Sequence, residues 1–488
     1  MTAGARRGPS TSRFLAWGAL AGLAAFTGLM ALLHGGAVLN FVFTPLALAV
    51  ALTLFRVHPS LYLEFVLWMW MLAPLVRRLA DWQSGFHALS PIMVAPQLVT
   101  AVSVLSVWSV AGCLGSRRFA PYFAILVVYL WGYFVGVLQS GLLPASYDFL
   151  NWACPVFLAI HLLSRPHSVE ANSDAIFRAL TWGVLVVGVY GVRQYFAVTD
   201  WDRQWMLATV AELGTIGEAV AQQARVFSTM NSPGPFAVFM AGGLIALFAA
   251  RGRVRWLAAA PGLAALMLSL VRSAWGGLIV GLVVLFAGAP MRRRVRLALA
   301  GAALIALATP FLVEGPIAEK FQARLATIAN LETDNSYLAR QEFYESFFAT
   351  AASSISGVGL GKAGLASRLS SSDASLGEYG NFDSGVMNLL FTFGLAAPLL
   401  GGLILFLFFR AAIAGRRTPE GAVCVAIAAS TLSQMIFVNT FAGVSGMFVL
   451  PMIALAEAQV AVQGAKATTR GSVSAVERAK ACAVRESL

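Results

Sequence analysis

Charge is scarce in this 488-residue chain, where 11% of residues are Asp, Glu, Lys or Arg, against about 25% in soluble domains. With 59% hydrophobic residues and a mean hydropathy of +0.76, that scarcity excludes a soluble globular enzyme and indicates an integral membrane protein. Cysteine is equally sparse. Cys113, Cys154, Cys424 and Cys482 fall in apolar stretches or in the tail, so neither a disulfide framework nor a metal cluster is suggested. The five histidines are scattered without metal-ligand spacing, and no metal or other cofactor is expected. Alternating ten-residue strands are missing, which excludes a membrane β-barrel. There is no internal repeat.

What the chain has in abundance is apolar runs. A helical bilayer crossing needs about 20 mainly apolar residues. Fourteen stretches meet or approach that length: 14–33, 38–55, 60–76, 92–114, 120–140, 149–163, 176–196, 234–250, 255–271, 274–290, 297–312, 385–409, 421–441 and 444–462. The first is too long for a signal-peptide core and is expected to be retained as a helix. The expected architecture is all-α, a polytopic bundle of about fourteen transmembrane helices. It divides into an N-terminal tail (1–13), helices one to eleven (14–312, with a loop at 197–233), a long loop (313–384), helices twelve to fourteen (385–462) and a C-terminal tail (463–488).

A pI near 10.0 and a net charge of +12 could suggest nucleic acid, but the charges are sorted by side. With both termini in the cytoplasm and alternating crossings, 23 of the 34 basic residues fall inside, while about fifteen of the 22 acids fall outside. That is the positive-inside pattern, so the basicity answers to membrane insertion and anionic lipid and no nucleic acid partner is expected. The eleven basic residues on the disfavoured side are the informative set: Arg77, Arg78, Arg193, Arg203, Arg225, Arg272, Lys320, Arg324, Arg340, Lys362 and Arg368. Thirty of the 34 basic residues are arginine. Guanidinium binds phosphate bidentately and stays charged at any relevant pH, which suits an anionic substrate at the outer leaflet. The competing reading for each is a cation snorkelling to headgroups.

Two positions stand apart. Arg225 lies in "ARVFSTMNSPGPFA", just before a Ser-Pro-Gly-Pro break, and Arg272 lies in "SLVRSAWGGL", between two apolar runs. Arg272 and Ser273 are expected to open a helix whose first amides add partial positive charge. Arg77 and Arg78 are adjacent in "APLVRRLADWQSGFHALSP", with Asp81 following as an expected ion-pair partner within a re-entrant loop. Glu64 and Glu457 are read as snorkelling carboxylates near cytoplasmic helix ends. The 72-residue loop 313–384 is expected to form a small helical cap, with Tyr337, Arg340, Tyr344 and Phe347 on one helical face. The Gly/Ser-rich "SGVGLGKAGLASRLSSSDASLGEYGNFDSG" resembles a P-loop only faintly: Ser356 replaces its first glycine and Ala363 its magnesium-binding hydroxyl. Asp383, where the loop re-enters the membrane, is either an N-cap or a base that positions an acceptor hydroxyl.

In order, "ARVFSTMNSPGPFAVFMAGGL", "LMLSLVRSAWGGLIVGLVVL", "DNSYLARQEFYESFFATAASSISGVGLG" and "DSGVMNLLFTFGLAAPLLGG" resemble the O-antigen ligase and polymerase family over residues 176–410. The stretch around Arg77 and Arg78 is similar to its exopolysaccharide-polymerase members. The resemblance implies a helical membrane bundle of GT-C-like glycosyltransferase architecture with a helical periplasmic cap. The implied donor is an undecaprenyl-diphosphate-linked glycan at the outer face of the bacterial inner membrane. The implied partners are membrane lipids, a chain-length regulator and other polysaccharide-assembly proteins. It also implies that Arg225 and Arg272 grip the diphosphate, that Arg340 acts from the loop helix, and that Asp383 orients or deprotonates the acceptor in a metal-free, inverting transfer. Arg77, Arg78 and Arg193 are further candidate substrate-binding residues. The ligases' histidine is replaced by Asp383 and Ser384, which favours a polymerase. The rival from another class is a lipid-linked-oligosaccharide flippase, which should have short loops and charges at mid-membrane.

Overall fold

Prolines and side-chain caps decide where many of the apolar stretches become helices. The computed structural model describes residues 9–209, 216–289, a few positions between 291 and 302, 355–370 and 384–460. Its helices are α1 (Pro9–Leu32), α2 (Gly36–Val57), α3 (Pro59–Ser84), α4 (Ala95–Ala101), α5 (Val104–Ser109), α6 (Ala120–Ser140), α7 (Leu142–Ser164) and α8 (Val169–Phe196). There follow α9 (Asp200–Thr209), α10 (Pro233–Ala246), α11 (Val254–Leu268), α12 (Arg272–Gly288), α13 (Gly385–Phe393), α14 (Ala396–Gly415) and α15 (Pro419–Leu432). The last is α16 (Gly443–Val460). Proline stands in the first turn of α3, α6, α10 and α15, where its missing N–H removes no intrahelical bond. At α15 the Thr418 hydroxyl also accepts from the Gly421 amide at 2.9 Å.

The chain is an all-helical, polytopic membrane bundle, and the described residues contain only one isolated antiparallel bridge, Gly217 to Ala224. Eight described segments are long and apolar enough to cross a membrane, and α10, α11, α12 and α15 are shorter apolar helices. Thirteen of the fourteen expected stretches coincide with helices. The eleventh, 297–312, lies outside the described residues except for a few positions, as does most of the expected cap.

Helices meet through small residues, as expected where no hydrophobic force separates protein from lipid tails. A Cβ on Gly188 of α8 would lie 2.9 Å from the Gly262 amide nitrogen of α11, and one on Gly277 of α12 would lie 2.4 Å from the Gln434 amide beyond α15. α10 is buried on nearly every side, whereas α1 is mostly exposed at the edge of the bundle.

Four expected spans differ in outline, and one of them, 421–441, ends as a helix at Leu432. The 149–163 stretch begins earlier, because "LLPASYD" extends it to the 23-residue α7. The 92–114 stretch is divided at Val102 and Ser103, where the Ser103 hydroxyl donates to the Thr100 carbonyl at 2.6 Å. The 385–409 stretch breaks at Gly394, whose φ of 54° ends α13, and the next amide, Leu395, donates to Ile355 at 3.1 Å. Glu64 and Glu457 are also not lone snorkelling groups. Glu64 pairs with Arg178, and Glu457 accepts from Arg410 at 2.6 Å and from the Tyr122 hydroxyl at 3.3 Å. A cation on a neighbouring helix at the same level meets each carboxylate, an adjacency that only the packing sets.

Alternating passage of the helices defines two ends of the bundle. The basic end carries Arg117, Arg118, Arg178, Arg251 and Arg410. The long-loop end carries the described connections 85–90, 197–199, 216–232 and 355–370 together with Arg77, Arg78, Arg225 and Arg272.

Candidate functional site

The "SLVRS" break is the centre of the long-loop end. α11 stops at Leu268, Leu270 takes a positive φ of 56°, and Arg272 opens α12 in the opposite direction. The preceding residue, Val271, is extended and supplies no side-chain cap. Its carbonyl takes the Ala274 amide at 3.1 Å, and the first-turn amides of α12 point out of the helix end at this break.

The segment 216–232 crosses this break. Val226 donates to the Leu268 carbonyl at 3.2 Å, and Arg225 donates to Ile216 at 2.8 Å through its backbone. The Arg225 guanidinium donates from Nε to Ser269 at 3.1 Å and from Nη2 to Leu270 at 3.3 Å. Its head group therefore reaches the carbonyls two and three residues before Arg272. Both arginines are half-buried, and both make further polar contacts. Residues 47 apart in the sequence thus meet at one helix break.

The crossing segment is held from below by a buried polar network. The Gln194 amide oxygen accepts from the Phe227 and Ser228 amides at 3.1 and 2.8 Å, and its nitrogen donates to Asp202 at 2.9 Å. Arg78 donates to both Asp202 and the Ser228 carbonyl, with its guanidinium 4.9 Å from the Phe227 ring centroid. The Arg78 and Asp202 side chains are fully enclosed. Arg77 donates to Asp81 at 3.1 Å and to the His87 carbonyl at 2.6 Å, and it lies 4.6 Å over Trp205. That ion pair forms within one turn of α3, not within a re-entrant loop. Arg193 is exposed on the last turn of α8, where its neighbour Gln194 is the residue that points inward.

The Gly-rich segment 355–370 returns into the bundle. Val358 and Gly359 donate to the Phe391 and Thr392 carbonyls of α13 at 2.9 and 3.0 Å, and Leu360 donates to Gly132 of α6 at 2.9 Å. Gly359 has a φ of 75°, and a Cβ there would lie 2.2 Å from the Gly136 amide nitrogen. Gly361 donates to the Asp148 carboxylate of α7 at 3.0 Å. The amides that could have cradled phosphate are used for packing, in accord with the rejected P-loop. Arg368, further along, is buried; desolvation, reinforced by the nearby charge of Arg77, presses its guanidinium below the usual arginine pKa.

Asp383 and Arg340 lie outside the described residues. The neighbouring Ser384 is described, and it holds the N-cap of α13, accepting from Met387 at 3.4 Å. The described N-cap of this helix is Ser384. The Gly385 amide donates to Met435 at 2.7 Å, and the preceding residue, Gln434, packs on Gly277 of α12. The start of α13 and the start of α12 thus lie against the same short stretch beyond α15.

The sequence had set Arg368 among the outer cations without a role, and it offered no sign of Gln194, Asp202 or Asp148. Their partners lie 8 to 213 residues away.

These features define an all-helical, polytopic membrane protein with two arginines at one helix break. A family model described as O-antigen ligase matches residues 257–400, from α11 through the Arg272 break to the first turns of α14. It covers under a third of the chain and agrees with the resemblance to the O-antigen ligase and polymerase family; Arg225 lies outside the matched window. No curated protein matches the chain.

Proposed function

We propose that this chain is a glycosyltransferase that polymerises undecaprenyl-diphosphate-linked oligosaccharide repeat units, with its long-loop end in the periplasm, its termini in the cytoplasm and the bundle in the bacterial inner membrane. The observation that supports this most directly is the meeting of Arg225 and Arg272 at one helix break, on the end of the bundle where α13 begins. Two guanidinium groups beside the positive end of a helix suit a diphosphate.

In the reaction, the acceptor hydroxyl oxygen attacks the anomeric carbon from the face opposite the diphosphate, which inverts that centre. The bond from the carbon to the diphosphate oxygen breaks, and its electron pair leaves on the diphosphate, stabilised by Arg225 and Arg272. The hydroxyl proton passes to Asp383. Electrostatic stabilisation is the larger contribution, because diphosphate is already a good leaving group. Arg340 steadies the donor from the loop. Membrane lipids, a chain-length regulator and other polysaccharide-assembly proteins are the proposed partners.

The description of the matching family favours one second reading, transfer of finished polymer to lipid A core by a ligase. Asp383→Asn separates the possibilities. The α13 cap rests on Ser384, so folding should be unchanged, while polymer should fall by about 10²-fold as the proton acceptor is lost. Single repeat units should accumulate on the carrier. Long carrier-linked chains in a deletion strain would instead identify a ligase, and normal polymer from the Asn variant would remove Asp383 from the mechanism.

A further inference from the structure

We infer that a groove between the end of α3 and the outward face of α9 is a saccharide subsite, which holds sugar residues of the glycan that the chain extends. The inference rests on the polymerase reading for the identity of the ligand and on separate residues for the site. The groove has a volume of about 510 Å³, within the roughly 300–1,000 Å³ of small-molecule sites. It is lined by Trp82, Phe86, Asp200, Arg203, Gln204 and Leu207, with Ala208 at its edge.

α9 is a two-sided helix. Asp202, Trp205, Met206 and Thr209 recur at helical spacing and are buried, and Asp202 and Trp205 bind Arg78 and the Asn231 carbonyl. Asp200, Arg203, Gln204, Leu207 and Ala208 recur at the same spacing on the opposite side and face the groove. Among the described residues, neither Asp200 nor Arg203 has an ion-pair partner. The groove therefore offers a carboxylate that accepts, a guanidinium that donates, and a side-chain amide, Gln204, whose nitrogen is already used on the Asp81 carbonyl. Hydroxyl pairs of a sugar ring complement that set.

The two rings are fixed from behind. Trp82 meets Trp201 edge-on at 5.9 Å and His34 at 6.1 Å. Phe86 packs on Trp205 at 5.9 Å, with the Arg77 guanidinium 5.5 Å from its centroid. Each remains more than a third exposed, at 38% and 36%. A held aromatic ring beside hydrogen-bonding groups takes the C–H face of a pyranose, while its polar edge reaches the charged pair. An anionic headgroup phosphate would suit Arg203 but would be repelled by Asp200. Because α9 also carries Asp202, which anchors the segment of Arg225, sugar bound here would lie on the same rigid platform as the phosphate-gripping break.

The test uses the full chain in nanodiscs and the free repeat-unit oligosaccharide released from the carrier by mild acid. Saturation-transfer NMR should show sugar signals with the unaltered protein, and the exposed double variant Asp200→Asn, Arg203→Ala should weaken binding about tenfold or more. Trp82→Leu should do the same, and all of these variants should still consume carrier-linked donor while making shorter polymer. No saturation transfer to the unaltered protein, or equal binding by the double variant, overturns the subsite. So does a phosphorus signal showing that phospholipid headgroups occupy the groove in place of sugar. Arg272→Lys provides the separation from the parent reading. It should lower polymerisation about 10²-fold while leaving oligosaccharide binding intact, and full polymer from it would remove the Arg272 fork from the proposed mechanism without touching the groove.

Discussion

The two ends of the bundle use arginine differently. At the basic end, guanidinium groups meet carboxylates of neighbouring helices: Arg410 with Glu457, Arg178 with Glu64, and Arg251 with Asp174 and Glu420. At the long-loop end, two pairs, Arg78 with Asp202 and Arg77 with Asp81, are enclosed as scaffold, while the Arg225 head group lies on carbonyls beside Arg272. Carboxylates neutralise cations at the first end. At the second, the Ser269 and Leu270 carbonyl oxygens orient the Arg225 head group beside the start of α12.

The largest effect should come from the enclosed pair. Arg78→Met leaves Asp202 buried without its cation, a loss of about 3–5 kcal/mol. The protein should be recovered in low yield, with an apparent Tm many degrees lower. An unchanged Tm would remove Arg78 from the scaffold.

Next come Arg225→Lys and Arg272→Lys, which keep the charge and lose the fork. Each should lower polymer formation about 10²-fold, or roughly 2.7 kcal/mol of activation free energy, at normal protein levels. Wild-type polymer from both would mean that charge at the membrane surface was all that mattered.

Gly359→Ala tests the return segment. The added methyl would sit against α6 with a positive φ of 75°, at a strain of about 1–3 kcal/mol. Protease sensitivity of the long loop should rise and activity should fall, with the basic end unaffected. The smallest effect belongs to Glu457→Gln, where Arg410 keeps the Arg117 carbonyl and water. About 1 kcal/mol and no change in polymer are expected.

Sidedness can be read with native chemistry. Cys113 is exposed at the basic end and Ser370 at the long-loop end. An impermeant thiol reagent on intact spheroplasts should modify Ser370→Cys and spare Cys113. The opposite labelling pattern would invert the topology and the site with it.

Helix identity was legible because a membrane span must satisfy its own backbone and be apolar over a fixed length, both of which are local properties. The outer arginines were legible for the same reason, as exceptions to a local charge rule. The interruptions at Val102 and Gly394 were not: the first turns on a local shift to tighter hydrogen bonds, and at the second another segment takes up the Leu395 amide, and neither alters the look of an apolar run. The cap at Ser384 depended on where one turn of helix begins.

By itself, then, the sequence determined an all-helical membrane bundle, its sorted charges and the family to which the Arg272 stretch is matched. Tertiary structure alone decided that Arg225 and Arg272 share one break, that Gln194, Arg78 and Asp202 hold the segment that follows Arg225, and that Glu64 and Glu457 are paired. The physical reason is range. Hydropathy and helix length act within about 20 neighbouring residues, whereas an ion pair or a carbonyl contact is decided by which helices pack side by side.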